Sequence, residues 1–326
     1  MPSPSASTAF ARPDLAAAFM EFNLEANFRR LAATRIFPVF PTARSSGQFG
    51  KIKTEDLLKL ADSTTRAPGA RYRRGQFQTV PVNFDCVEHG IEEPVDDRQA
   101  AIYRTYFDAE QVSTLRAWNQ VMMGLESRVR DLVIDTDNYT GSALTTAVSN
   151  EWDDHSNATP IADVMAASEK VRAGIGASAN ILVVSEKVWK NLKQCDEVKD
   201  LLKYAGNAEA APGNISRQAV AAMMELDEIV VAGSVYDSTN PGQDTTLADL
   251  WDDEYAFVAR RATSMDLQEP CVGRIFRYTG DGVGDWPVVE SYRDESVRSN
   301  IIRVRDDTDE KRLYLQAGHL LSNITE

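Results

Sequence analysis

Phe49-Gly-Lys-Ile-Lys-Thr54 and Gln76-Phe-Gln-Thr-Val-Pro-Val-Asn-Phe-Asp-Cys-Val87 flank a tip, Ser63-Thr-Thr-Arg-Ala-Pro-Gly-Ala-Arg-Tyr-Arg-Arg-Gly75, that has almost nothing apolar to bury. The second flank alternates. Phe77, Thr79, Pro81, Asn83 and Asp85 fall on one face, and Val80, Val82, Phe84 and Cys86 on the other. That is the period of a strand with one half-buried side, so the stretch predicts a long hairpin limb that leaves the body of the chain. Ordering its tip costs about 1 to 2 kcal/mol per residue in backbone entropy. The tip's own composition does not offset that cost; a neighbouring subunit would.

Charge sets this limb apart from the rest. The 326-residue chain has 35 Lys and Arg against 49 Asp and Glu, a net charge of -14. Residues 28 to 75 run the other way, with eleven basic and three acidic side chains, so that the limb carries +8 and the remainder -22. A basic limb on an acidic body is self-complementary between identical copies, which favours orientation and fast encounter more than affinity. We expect Arg66, Arg71, Arg73 and Arg74 to contact acidic groups on an adjacent subunit. The plain alternative is a solvated basic loop. Nucleic-acid binding by the arm is a lesser alternative, because an acidic body of pI near 4.8 repels phosphate.

The composition, 43% hydrophobic and 26% charged, is that of a globular chain able to bury a substantial core in two or three modules. No apolar run approaches the roughly 18 residues of a membrane helix, and Met1-Pro-Ser-Pro-Ser-Ala-Ser7 lacks the regions of a signal peptide. The expected compartment is the cytoplasm. Cys86, Cys195 and Cys271 are widely spaced, so buried free thiols are expected and no disulfide framework or zinc site.

Outward from the hairpin, Pro13 to Ala33 reads as a helical stretch of an N-terminal arm. Asp108 to Ile134 reads as the best helix in the chain, with Val112, Leu115, Trp118, Met122, Leu125, Val129 and Leu132 three and four apart. Asp108 is placed to cap it, with Gln111 at the third helical position. From Thr159 short α/β units follow: helix 160–173, strand 180–184, helices 186–193 and 216–226, and strands 228–233 and 255–259. After Val272 the chain reads as a strand meander, with strands at 272–279, 288–293, 299–305 and 312–316 and turns at Gly280 to Asp285 and at Asp306-Asp-Thr-Asp-Glu310. There is no internal repeat.

The search for chemistry returns little. Gly174-Ile-Gly-Ala-Ser-Ala179 matches G-x-G-x-x-A, but it follows a helix and precedes a strand, the reverse of a pyrophosphate site. The acidic pairs at Asp153, Asp252 and Asp306 lack the spacing and Gly of a calcium loop and read as solvated turns. His89, His155 and His319 are isolated, without the partners of a metal site or a nucleophile triad. We therefore expect no catalytic, cofactor-binding or metal-ligating residues and no enzyme. A cytoplasmic enzyme with a dispersed site is the alternative from another class.

The order of parts, with Glu151-Trp-Asp-Asp-His-Ser-Asn-Ala-Thr-Pro-Ile-Ala-Asp163, Asn180-Ile-Leu-Val-Val-Ser-Glu-Lys-Val-Trp-Lys-Asn-Leu192, Asp227-Glu-Ile-Val-Val-Ala-Gly-Ser-Val-Tyr236, Leu250-Trp-Asp-Asp-Glu-Tyr-Ala-Phe-Val-Ala259, Gly273-Arg-Ile-Phe-Arg-Tyr-Thr-Gly280 and Ala317-Gly-His-Leu-Leu-Ser-Asn-Ile324, resembles the major capsid proteins of tailed bacteriophages. The segments stand in family order, and the resemblance they carry extends over most of residues 100 to 326. The resemblance implies an α+β fold: an N-terminal arm (1–48), an extended loop (49–92), a peripheral domain on a long spine helix (93–158 and 272–316) and an axial domain (159–271 and 317–326). It implies a structural protein that assembles with itself as hexamers and pentamers into an icosahedral head enclosing double-stranded DNA without sequence-specific binding. The expected place is the virion, after assembly in the host cytoplasm. A separate scaffolding protein is implied by the short N-terminus, together with a portal and, in some members, a decoration protein; no membrane is involved. Lys51, Lys53 and Lys59 lie on the extended loop, yet nothing marks a catalytic carboxylate or acceptor asparagine, so no covalent cross-linking is expected. An encapsulin-type shell around a cargo enzyme is the nearest rival.

Overall fold

The three-and-four spacing after Asp108 becomes a helix over Ala109–Val133, 25 residues and about 37 Å long. Asp108 caps it, its carboxylate accepting from the Glu110 N–H at 3.0 Å. Its buried stripe holds Thr114, Ala117, Trp118, Val121, Met122, Leu125, Glu126, Val129 and Val133. Val112, expected in that stripe, is 39% exposed, because the buried face is turned toward Thr114 and Ala117. The computed structural model describes residues 10–11, 31–60, 64–72, 74–103, 108–204, 215–239, 242–244, 246–280 and 286–326. The helix expected at Pro13 to Ala33 and the turn at Gly280 to Asp285 lie largely outside them; Ala33 opens a short helix, Ala33–Ile36.

A six-stranded sheet lies against the long helix. Its strands are β1 (Phe10–Ala11), β2 (Val39–Thr42), β5 (Val87–Asp96), β12 (Gly273–Tyr278), β13 (Val288–Asp294) and β14 (Ser299–Arg312). β14 is the hub, pairing antiparallel with β5, β12 and β13. β12 also takes β2 in parallel, and β13 takes β1.

The turn expected at Asp306 to Glu310 does not form: β14 runs straight through it. The reason is alternation. Asp306 and Thr308 point inward and are 2% and 1% exposed, and Glu310 on the same face meets Arg128 of the long helix at 2.9 Å. Asp307 pairs with Arg305 at 3.0 Å and Asp309 with Lys311 at 3.2 Å. Three of the four carboxylates thus meet a cation and the fourth, Asp306, accepts from Trp286 Nε1 at 2.7 Å, so an acidic run can serve as a strand. The expected strand after Arg312 is instead a 3₁₀ turn, Leu315–Ala317.

The second sheet has the order β6 (Thr145–Ala147), β15 (Gly318–Ser322), β11 (Ala256–Ala259), β7 (Ile181–Ser185), β8 (Glu228–Ala232). β7 and β8 are parallel and almost wholly buried, as continuous apolar runs flanked by helices require. The helix Pro160–Ile175 ends on Gly176 at φ 73°, a left-handed cap that glycine adopts without strain. The Gly174 to Ala179 run is thus a helix end. Ser185 and Ser216 cap the next helices, accepting from Val188 N–H and Ala219 N–H, each at 3.2 Å.

The hairpin read from the sequence is present. β3 (Ser46–Ile52) and β4 (Thr79–Asp85) pair antiparallel, with Val80, Val82 and Phe84 half-buried and the alternate residues exposed. The alternation stops at Asp85, and Val87 opens β5, which returns the chain to the large sheet.

Candidate assembly interface

The hairpin is fixed at its base by aromatic packing. Phe276 of β12 stacks on Phe84 at 4.9 Å and 8°, and meets Phe49 at 5.5 Å and Phe40 at 5.7 Å. Such pairs contribute about 0.5 to 1.5 kcal/mol each beyond the area they bury. Gly47 lets the Phe84 ring approach: a Cβ there would sit 2.8 Å from Cζ. Polar contacts reinforce the base. Lys51 Nζ donates to the Leu313 carbonyl at 2.5 Å and lies over the Tyr314 ring at 4.4 Å. The Tyr314 hydroxyl donates to the Ile52 carbonyl at 2.8 Å, and the Asp85 N–H to Asp309 Oδ2 at 2.7 Å. Burial holds the Lys51 amine below its usual range.

The tip is different in kind. Arg66, Arg71 and Arg74 are exposed, and Arg73 lies outside the described residues. Among the described residues none of the three has a carboxylate partner; Arg66 lies over the Tyr72 ring at 4.6 Å. The approaches to the tip are more apolar than composition suggested. Leu60 is 91% exposed, Tyr72 74% and Phe77 67%.

A second anchor went unread in the sequence. Glu126, fully buried on the long helix, accepts from the N–H groups of Ala32 and Ala33 at 2.8 Å each, from Trp251 Nε1 at 2.7 Å and from the Ser234 hydroxyl at 3.3 Å. It ties the segment that enters β2 to the spine helix and to the Ser234 and Trp251 loops. Burial raises its carboxyl above the usual range, and these donors pull back against that rise. Its only trace in the sequence is a carboxylate four residues after Met122 and three before Val129.

Among the described residues no group of three or more His, Cys, Asp or Glu could hold a metal ion, and no helix is long and apolar enough to cross a membrane. Cys195 and Cys271 are buried and Cys86 half-buried. Burial pushes their thiols up to about 12, 11 and 12 respectively, far from thiolate character at neutral pH. His319 is packed: burial lowers it to about 4, its Nδ1–H donates to the Ala143 carbonyl at 3.1 Å, and Nε2 accepts from the Thr146 hydroxyl at 2.9 Å.

No family model matches the chain. It is 22% identical over 294 residues to the major capsid protein of Burkholderia phage BcepMu, covering 89% of this chain and 90% of that protein. Among solved structures it is similar to a phage-related protein from Bordetella bronchiseptica RB50, with TM-score 0.68, 21% identity, and 96% and 97% of the two chains covered. It is also similar to the capsid of cyanophage P-SCSP1u, with TM-score 0.54, 10% identity, and 88% and 86% covered.

Proposed function

We infer that this chain, which carries the major capsid fold of tailed phages, is a structural and non-enzymatic shell subunit that associates with copies of itself. The observation that carries the reading is the hairpin arm. Its base is packed into the body by four phenylalanines, while its tip presents to solvent large apolar side chains and arginines that, among the described residues, have no carboxylate partner. A chain that functions alone has no use for such a tip.

Within the shell we assign residues 1–48 to an N-terminal arm and 49–92 to the extended loop. Residues 93–158 and 272–316 form a peripheral domain, and 159–271 and 317–326 an axial domain. The two sheets support this division, with two refinements: β6, at Thr145–Ala147, pairs with β15 and so belongs with the axial sheet, and β5, from Val87, pairs with β14 and so joins the peripheral sheet. Head-to-tail contacts between identical subunits close into rings, here hexamers and pentamers of an icosahedral head around double-stranded DNA. Assembly takes place in the host cytoplasm with a scaffolding protein and a portal, and an outer face remains for a decoration protein. The tip arginines Arg66, Arg71, Arg73 and Arg74 meet acidic groups of the adjacent subunit.

Electron microscopy of purified protein, paired with size-exclusion chromatography with and without scaffold, tests the reading. Shells or capsomer-like rings are expected; a small oligomer that never assembles would overturn it. Contents separate the rival on the same fold: packaged DNA for a head, a cargo protein for an encapsulin-type compartment. Reversing all four tip arginines to glutamate is expected to block assembly at unchanged salt.

A further inference from the structure

A second, smaller ribbon projects from the axial sheet. β9 (Val235–Asp237) and β10 (Leu247–Asp249) pair with each other alone among the described residues, and a lone two-stranded ribbon is marginally stable in water. Its register sets Val235 opposite Asp249 and Asp237 opposite Leu247, so side-chain alternation gathers all four on one face. On that face Val235 is 39% and Leu247 68% exposed.

Beside the ribbon lies a groove of about 440 Å³, lined by Asp249, Leu250, Trp251, Asp252 and Asp253 and by Arg130 and Ile134 from the end of the long helix. Its own cation is committed. Arg130 pairs with Asp131 at 2.5 Å and donates to the Leu250 carbonyl at 3.2 Å. Asp253 accepts from the Ser185 hydroxyl at 2.5 Å and faces Lys187 at 3.6 Å. Two carboxylates are left over. Asp249 has no partner among the described residues, and Asp252 spends one oxygen on the Glu254 N–H at 3.0 Å.

This face, acidic with exposed aliphatic side chains, is the complement of the arm tip, basic with exposed Leu60, Tyr72 and Phe77. Among the described residues neither Arg66, Arg71 nor Arg74 finds a carboxylate within its own chain, and Asp249 finds no cation. We propose that the arm tip of one copy docks on the ribbon and groove of a neighbouring copy, a tip arginine entering between Asp249 and Asp252 while the apolar side chains of the tip cover Val235 and Leu247. The inference rests on the shell reading above and names the surface that receives the arm. Arginine and aromatic side chains are the usual energetic centres of an interface, and charges at its rim act mainly on the rate of encounter.

Charge exchange tests it. D249K/D252K is expected to lower shell yield roughly tenfold, and R66E/R71E/R74E by a similar factor, as like charges are brought together. Combining both sets is expected to restore yield to within about threefold of the unaltered chain, since coupled sites do not add. A damaged fold would not be rescued by a second set of reversals. R71C with D252C, in a C86S background, is expected to give disulfide-linked multimers on a non-reducing gel, as that bond requires Cα atoms within about 7 Å. Undiminished yield from D249K/D252K would overturn the proposal, as would loss without rescue and without cross-linking. Absence of shells from the unaltered chain would strike instead at the shell reading, because the cysteine pair also reports head-to-tail contact between unassembled copies.

Discussion

The two ends of the hairpin arm share one pair of strands and have opposite surroundings. At the base, between Ser46 and Ile52 and between Thr79 and Asp85, every second side chain has something to pack against, and Phe276 supplies a ring at the centre of the contact. At the tip the same chain turns out large apolar side chains and arginines that, among the described residues, have no carboxylate of their own. The difference separates two tasks: the base fixes where the arm points, and the tip leaves its burial to be completed by association. Disturbing the base should therefore damage the subunit, and disturbing the tip should damage only what subunits form together.

The largest effect is expected from Phe276→Ala. The residue is wholly buried and touches three other rings, and emptying such a site costs about 3 to 5 kcal/mol. Urea unfolding of the unassembled subunit would show it as a lowered midpoint. A cost below about 1 kcal/mol would mean that the cluster does not hold the base. Close behind stands Glu126→Ala. Phe40 reaches the cluster on β2, and Glu126 holds the segment just before β2 by the N–H groups of Ala32 and Ala33. Removing the carboxylate leaves those donors and the Trp251 indole buried without an acceptor, a loss of about 3 to 4 kcal/mol. Faster amide exchange at residues 31–42 should accompany it.

Beneath the base, Asp306 gives the comparison a pH dependence. It lies where β14 passes from its pairing with β13, which ends at Arg305, to its pairing with β12, which begins at Thr308. One carboxyl oxygen accepts from Trp286 Nε1 at 2.7 Å, and the other is buried without a partner. Burial raises the group to about 6. The folded chain thus binds this proton more tightly than the unfolded chain, whose aspartates titrate near 3.9. The stabilisation is complete below about pH 4 and is lost as pH rises through about 6, a difference approaching about 3 kcal/mol. His319 works in the opposite direction, since its lowered value means stability lost as pH falls toward about 4. The difference between the unaltered chain and Asp306→Asn, followed by urea unfolding from pH 4 to 8, isolates the aspartate. A flat difference across that window would show that Asp306 is not the titrating group.

The expectation that failed and the anchor that went unseen have one cause. Period and punctuation are local, and they place the long helix, β7, β8 and β11 within a residue of where they lie and the hairpin limbs within three. The acidic stretch of β14 was misread because composition argued for a turn, whereas its partners, Arg128 on the long helix and the strands on either side, are brought in only by the tertiary fold. β5, with Gly90 and Pro94 in its run, is likewise a strand because β14 pairs along all ten of its residues. Glu126 looked like one more polar residue on a helix, since its donors come from residues more than ninety positions away. At the tip, the arginines were visible as a charge run. Leu60 and Phe77 are equally plain in the sequence, but a sequence does not say which apolar side chains will be left uncovered.

The smallest effect on the subunit, and the sharpest separation of base from tip, is expected from the tip itself. Leu60→Ser with Phe77→Ser should leave the urea midpoint within about 0.5 kcal/mol of the unaltered chain, because exposed side chains contribute little to the fold. Shell yield should nevertheless fall, and by the same factor at low and high salt, since apolar cover is not screened. R66E/R71E/R74E should leave the midpoint equally untouched but slow assembly most at low salt, where charges act beyond a screening length of about 10 Å at 0.1 M. The two variants thus divide the tip's work between anchoring and steering. If the arginine variant assembled with the salt dependence of the unaltered chain, steering would have to come from elsewhere on the +8 limb. If the apolar variant lowered the midpoint as Phe276→Ala does, tip and base would be one structural unit, and the contrast between them would fail.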